Sequence, residues 1–140
     1  MVDFSDELGK HAAERVSEEY VIWFTTTSAD GTPQPRPVWF VWDNDGFLIY
    51  SQPSAAKLRH IARNPKVALH FDSGDGEDVV VFLGEASVDP SAPLPNAHQG
   101  YLTKYREGIH DIDMTEASYA ASFSVAIRVR PTKLRGLDPL

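Results

Sequence analysis

Apolar residues recur along this chain with two different periods, and the changes between them predict the order of its elements. From residue 5 to 19, Leu8, Ala12, Ala13 and Val16 recur at the spacing of one helix face, with Ser5 placed to cap it. The period then shortens. YVIWFTTT (20–27) is rich in β-branched and aromatic residues, and SADGTP follows with an Asp-Gly turn. RPVWFVWD (36–43) resumes as strand, and DNDG (43–46) turns the chain into FLIYS (47–51), which predicts three antiparallel strands in a meander. Helical spacing returns from Ser54 to Arg63 through Ala55, Leu58, Ile61 and Ala62, and Asn64-Pro65 ends it. KVALHF (66–71) is strand, SGDGED a turn, DVVVFLGEASVD (78–89) a long strand or strand pair, and DPSAPLPNA (89–97) a proline loop. HQGYLTKYREGI (98–109) and TEASYAAS (115–122) read as helices, and FSVAIRVRPTKLRGL (123–137) as a closing strand with Val125, Ile127 and Val129 on one face. About six strands with short helices at the rim predict a mainly β fold, a closed or nearly closed antiparallel barrel in a single domain spanning 1–140.

Composition narrows the classes of function. A chain of 140 residues can bury roughly two-thirds of the surface it exposes unfolded, so it needs no covalent staples. Cysteine is absent, which excludes a disulfide framework, a thiolate metal site and a cysteine nucleophile, and fits a reducing compartment. The opening MVDFSDELGKHAAERVSEE is charged throughout and lacks the apolar core of a signal peptide. The apolar run VVVFL (79–83) is far short of the roughly 20 residues that span a bilayer, so a cytoplasmic location is expected. The net charge is −7 with acids spread along the chain, which argues against nucleic acid as a partner. His11, His60, His70, His98 and His110 show no paired ligand spacing, so no metal site is expected, and no Gly-x-Gly-x-x-Gly or P-loop pattern is present. His110, Asp111 and Asp113 read as a polar closure before Thr115, and Tyr101 and Tyr105, one helical turn apart, read as core or interface. No side chain is assigned a catalytic role.

Candidate chemistry concentrates on two segments. Lys57 falls in the first turn of the 54–63 helix, where the helix dipole opposes a cation, so an anion is expected beside it. The free N–H groups of that turn, the hydroxyls of Ser51 and Ser54, and Lys57 suit a phosphate. From the residues alone, Ser54 as a simple cap with Lys57 solvated is an equal alternative. Arg36 stands between Pro35 and Pro37, which hold its backbone extended and aim its guanidinium toward a phosphate or a ring oxygen. Pro33, Pro35 and Pro37 each remove a ladder donor, so this strand needs an unpaired edge or a bulge where a ligand can approach. Trp39 reads as a wall of that site and Trp42 as core or subunit contact.

The stretch from Val21 to Phe71 carries the DGTPQPRPVWF turn and strand, the YSQ strand end, a helix opening with a lysine, and an Asn-Pro-Lys-Val strand entry. In this it resembles the pyridoxamine 5′-phosphate oxidase-like split-barrel flavoproteins, and among them the actinobacterial branch of oxidoreductases that depend on a deazaflavin, coenzyme F420. The likeness continues in weaker form to PTKLRGL and is least diagnostic over 73–122. It implies a six-stranded split barrel of the FMN-binding type, a homodimer, and a cofactor at the subunit interface. It also implies that main-chain groups at Arg36, Pro37, Val38 and Trp39 meet the cofactor ring, that Gln52 lies beside the phosphate or ribityl chain, and that Lys57 and Ser51 serve the phosphate. The activity implied is hydride transfer to or from a small organic substrate by F420, with FMN as the alternative cofactor. The other readings are an FMN-dependent oxidase or reductase, and a non-catalytic carrier of flavin, deazaflavin or haem. Arg128, Arg130, Lys133 and Arg135 lack a clear match to the substrate-phosphate pattern of a pyridoxal-forming enzyme. A two-fold partner is expected to cover the aromatic residues Trp39, Phe40 and Trp42.

Overall fold

The computed structural model describes residues 2–138. Its elements are α1 (Glu7–Glu18), β1 (Val21–Thr27), β2 (Pro33–Trp39), β3 (Val41–Asp43), β4 (Gly46–Ser51), α2 (Ala56–Arg63), β5 (Lys66–His70), β6 (Val81–Val88), a 3-10 turn (Pro95–Ala97), α3 (Gln99–Asp111), α4 (Glu116–Ser122) and β7 (Val125–Arg135). The strands form one antiparallel sheet of seven, in the order β2-β1-β5-β6-β7-β4-β3, where the sequence predicts about six.

The extra strand arises because the segment predicted at 36–43 changes partner at Phe40. Before it, β2 pairs with β1, Trp39 opposite Val21; after it, β3 pairs with β4, Trp42 opposite Phe47. The predicted meander is therefore not formed, and β4 lies between β3 and β7 instead of beside β2. Proline explains the position of β2. Pro33, Pro35 and Pro37 have no N–H to donate, so the strand is confined to an edge with a single neighbour. The alternation in the sequence nevertheless runs through the joint unbroken. Val38, Phe40 and Trp42 all face the barrel interior, and Trp39 and Val41 face the opposite side. Side-chain pattern alone thus reads two strands as one. Because β2 and β3 are the two ends of the sheet and only Phe40 separates them, the sheet curls until its ends meet there.

Two apolar layers result. Ile22, Phe24, Phe40, Phe47, Leu69 and Phe82 fill the barrel, each side chain contributing about 1.5–3 kcal/mol by burial. Leu48, Tyr50, Tyr101, Tyr105, Ile109 and Tyr119 form a second layer between the sheet and α3–α4. β4 lies between them and is buried at every residue, Phe47 and Ile49 inward, Leu48 and Tyr50 outward. Phe40 is fully buried, so it is not part of the aromatic patch expected beneath a partner, while Trp42 is half-buried and packs edge-on against Phe4 and Phe47.

Several element ends differ from expectation for local reasons. Asp6, not Ser5, caps α1 by accepting the Gly9 N–H at 2.7 Å, while Ser5 donates to Asp3. Within 78–89 only Val81–Val88 is strand, and it is the single strand β6. β7 continues through Pro131 because the ladder shifts register at Leu83/Gly84 opposite it. His98 starts α3; its Nδ1 accepts the Tyr101 N–H and its Nε2–H donates to Asp43 at 2.6 Å. Arg128 bridges Asp43 and Asp89, so the β3–β4 turn, the proline loop and α3 are tied together. Among the described residues no helix is long and apolar enough to cross a membrane, and no group of His, Asp and Glu is arranged to hold a metal ion.

Candidate functional site

The edge position of β2 leaves one side of its main chain without a strand neighbour, and the start of α2 shares a recess with β1 and β2 residues. Two recesses lie along β2. One, of 260 Å³, is lined by Thr26, Gln34, Arg36, Pro37, Ala55, Ala56, Lys57 and His60 together with Phe24. The other, of 340 Å³, is lined by Val21, Pro37, Val38, Trp39, Tyr50, Lys57, Ile112, Tyr119 and Phe123. They share Pro37 and Lys57 and form one groove with a cationic end and an aromatic end.

At the cationic end α2 starts without a side-chain cap. Its N-cap residue is Ala55, so the alternative in which Ser54 caps the helix is not realised, and the start of α2 lines the recess through Ala55, Ala56 and Lys57. Arg36 donates only to its neighbouring carbonyl, Pro35 O, at 2.9 Å. Among the described residues neither Arg36 nor Lys57 forms an ion pair. Burial, and then the charge of Arg36, hold the Lys57 ammonium below its ordinary pKa. Two neighbouring cations beside a helix start without a side-chain cap make a site of positive potential suited to an anion. Thr26 Oγ1 and His60 Nδ1 are hydrogen-bonded at 2.8 Å and complete this wall.

At the aromatic end Trp39, Tyr119 and Phe123 line the recess in one stacked row, with Tyr105 behind Trp39. Trp39 stacks on Tyr105 with centroids 4.6 Å apart and planes 8° off, and on Tyr119 at 5.6 Å; Tyr119 stacks on Phe123 at 4.4 Å. The Tyr119 and Tyr101 hydroxyls are hydrogen-bonded at 2.6 Å, and Tyr50 donates to Pro93 O at 2.5 Å. Burial pushes the phenols of Tyr119 and Tyr50 up to about 12. The wall is flat, apolar and proton-retaining at neutral pH.

Of the residues singled out from sequence, the groove brings together Arg36, Pro37, Val38, Trp39 and Lys57. Ser51 and Gln52 are outside its lining: Ser51 is buried at the end of β4 with its hydroxyl donating to Gln52 O, and Gln52 is exposed. Sequence reasoning missed Thr26, Gln34 and His60, and, at the other end, Tyr50, Tyr119 and Phe123. The first group carried no local signal, because it depends on how α2 packs over β1, where Thr26 Oγ1 meets His60 Nδ1. Tyr119 and Phe123 carried no signal, because they reach the groove through α4, which lies far from β2 in the chain.

This combination, a split antiparallel barrel with an edge strand and an uncapped helix flanking one groove, defines a split-barrel protein of the flavoprotein type. The chain belongs to the pyridoxamine 5′-phosphate oxidase family, whose model matches residues 8–138. No curated protein matches the sequence significantly. Among solved structures it is similar to a Listeria innocua protein named after pyridoxamine 5′-phosphate oxidase, with 23% identity, coverage of 95% of this chain and 100% of that one, and a TM-score of 0.66. It is similar to an F420 reductase at 24% identity over 87% and 94% of the two chains, with a TM-score of 0.66. It is also similar to HutZ, the haem storage protein from Vibrio cholerae, at 16% identity over 94% and 95%, with a TM-score of 0.62. At these identities the likenesses establish the fold, and the fold carries oxidoreductases and haem-binding proteins alike.

Proposed function

We propose that this chain is an oxidoreductase that binds a deazaflavin, coenzyme F420, in the groove along β2, at the interface of a homodimer, and transfers hydride to or from a small organic substrate. The observation that carries this reading is the pairing of two uncompensated cations, Arg36 and Lys57, with the bare start of α2, directly adjoining a slot walled by stacked rings. The donor set fits a phosphate at one end, and the stacked aromatic rings of Trp39, Tyr119 and Phe123 fit a planar polycyclic ring at the other. When bound, the cofactor supplies the hydride chemistry. The protein's part is placement. Lys57, Arg36 and the α2 N–H groups hold the phosphate, and the free side of β2 from Pro37 to Trp39 runs along the ring. Tyr119 and Phe123 close the inner end against water.

The homodimer part of the reading rests on Tyr20, Val21, Trp23 and Ile112, large apolar residues 37–49% exposed. Val21 and Ile112 line the groove itself, and Trp23 pairs with Pro37 across the β1–β2 ladder. A second copy packed there covers the rings and completes the groove. FMN presents the same ring plan and phosphate, so side-by-side titration with FMN and F420, followed by fluorescence or calorimetry, is the test. Tight binding of F420 alone supports the reading, tight binding of FMN alone transfers it to a flavin, and binding of neither removes it. A carrier without turnover is the second reading, favoured by one observation: the Tyr50 and Tyr119 hydroxyls at the ring end are already hydrogen-bonded within the protein. Oxidation of reduced cofactor on adding quinone or activated-alkene acceptors separates the two.

A further inference from the structure

A second cleft, of 490 Å³, opens between the N-terminal segment, α1, β3 and the start of α3. It shares no lining residue with the groove along β2. Its walls are mostly apolar, with Phe4, Ala13, Val16, Val41 and Trp42 on them, and that size and lining are typical of a small-molecule site. Its polar members are Ser17, Asp45, His98 and Lys104. His98 has both ring nitrogens engaged, with Asp43 and with the Tyr101 N–H. Asp45 is exposed on the β3–β4 turn, where water solvates it.

Lys104 is different. Its Nζ donates to Phe40 O at 2.9 Å and lies 3.7 Å above the Phe40 ring and 5.2 Å from that of Tyr105. An ammonium has three donors, and among the described residues Lys104 has that single hydrogen-bond acceptor and no ion pair. Burial pushes it down to about 8, with only Glu19 acting in the other direction, and the Glu19 carboxylate is itself bound by Arg15 at 2.8 Å. One carbonyl and two ring faces leave two of its three N–H donors without an acceptor at the wall of an apolar cleft, where an anion can take them.

We propose that this cleft is a second ligand site, which takes a small carboxylic acid with an apolar body, the carboxylate paired with Lys104 and the body lying along Val16, Val41 and Trp42. The binding is non-covalent and independent of the cofactor.

The test is calorimetric titration of the full chain with benzoate, 4-phenylbutyrate and octanoate, each beside its neutral amide. Saturable binding is expected for at least one acid, with its amide weaker by about tenfold or more, since a charge-assisted contact is at stake. Lys104→Met, nearly the same shape, is expected to weaken the acid by at least about tenfold, and Val16→Trp, which fills the cleft, to abolish it, while Lys57→Ala leaves it unchanged. The amide comparison is made on the unmodified protein, so the test survives a variant that fails to fold. No saturation by any acid up to roughly 10 mM overturns the proposal, as does acid binding that Lys57→Ala abolishes. Conversion of a dimer to a monomer by Lys104→Met, with no acid bound, gives the cleft to a side chain of a second copy and overturns it as well.

Discussion

Tyr105→Phe removes one hydroxyl from the point where the barrel changes strand. That hydroxyl accepts the Phe40 N–H at 2.8 Å and lies within 2.7 Å of Tyr20 O and 2.9 Å of Phe40 O. Phe40 belongs to neither β2 nor β3, so its amide has no ladder partner and depends on this side chain. Both residues are fully buried, and water cannot replace the lost acceptor. An orphaned buried N–H costs about 1–3 kcal/mol and the lost donation to a carbonyl about 0.5–1.5 kcal/mol. Lys104 still serves Phe40 O, which limits the second loss. The expected destabilisation is about 2–3 kcal/mol, or a fall in Tm of about 6–10 °C for a chain of this size. Urea unfolding measures it, at fixed protomer concentration because association contributes to apparent stability. Tyr101→Phe is the control: it deletes a hydroxyl whose partner, that of Tyr119, is another rotatable hydroxyl and not a backbone amide, and it is expected to cost about 1 kcal/mol. A loss below about 0.5 kcal/mol for Tyr105→Phe, with m unchanged, refutes the view that this hydroxyl holds the joint.

Lys57→Ala is expected to weaken cofactor binding about 10–100-fold while leaving the urea midpoint almost unchanged, because the charge-assisted contact disappears and a partly desolvated cation is also relieved. Unchanged binding removes the phosphate assignment. Trp23→Glu, placed on the exposed face of β1, is expected to yield a folded monomer in sedimentation experiments and to bind cofactor poorly; a dimer with normal binding sinks the proposed interface. The pH dependence of stability has a worked sign. Lys104 titrates near 8 when folded and near 10.4 when unfolded, so the unfolded chain holds the extra proton between those values and stability rises with pH across that window. With solvent screening the gain is below about 2 kcal/mol; it is read as the difference from Lys104→Met in urea midpoints at pH 7.5 and 9.5, and no difference contradicts it. Asp43 behaves in the opposite sense. Burial raises its pKa, but hydrogen bonds from His98 and Arg128 outweigh that and lower it, so its contribution is present above about pH 4 and disappears as pH falls below. Asp43→Asn is therefore expected to destabilise at pH 7 and to narrow its deficit in acid.

The sequence placed much of the candidate groove's lining more fully than it placed the sheet's order, although Ser51 and Gln52 lie outside that lining. Proline at three alternate positions announced an edge strand, and an arginine between two of them announced a side chain aimed from it; both follow from local backbone restriction, which needs no tertiary information. Lys57 was legible for the same reason, as a cation set against a helix dipole. Strand count was not. Phe40 changes ladder without changing face, and hydrophobic alternation records faces, not hydrogen-bond partners. Phe40 misled in the same way: as an aromatic beside Trp39 it suggested a face for a partner to cover, but its even spacing from Val38 puts it inside the barrel, with Trp42 packed partly buried against the same core. Tyr119 and Phe123 were beyond local reasoning altogether, since their place in the groove depends on how α4 packs against β2.

β7 has a property that concerns the making of the protein rather than its working. It is the single strand that pairs with both β6 and β4, so it alone joins β2-β1-β5-β6 to β4-β3. Synthesis proceeds from the N-terminus, and the other strands therefore all leave the ribosome before the one that unites them. Until then β4 and β6 each present an open row of backbone donors and acceptors, and VVVFL sits on one of them, a segment of the kind that recruits other chains. The nascent protein is thus exposed to misassembly until β7 emerges, and lesions in Val125–Arg135 are expected to lower the soluble yield even where they leave the finished groove untouched.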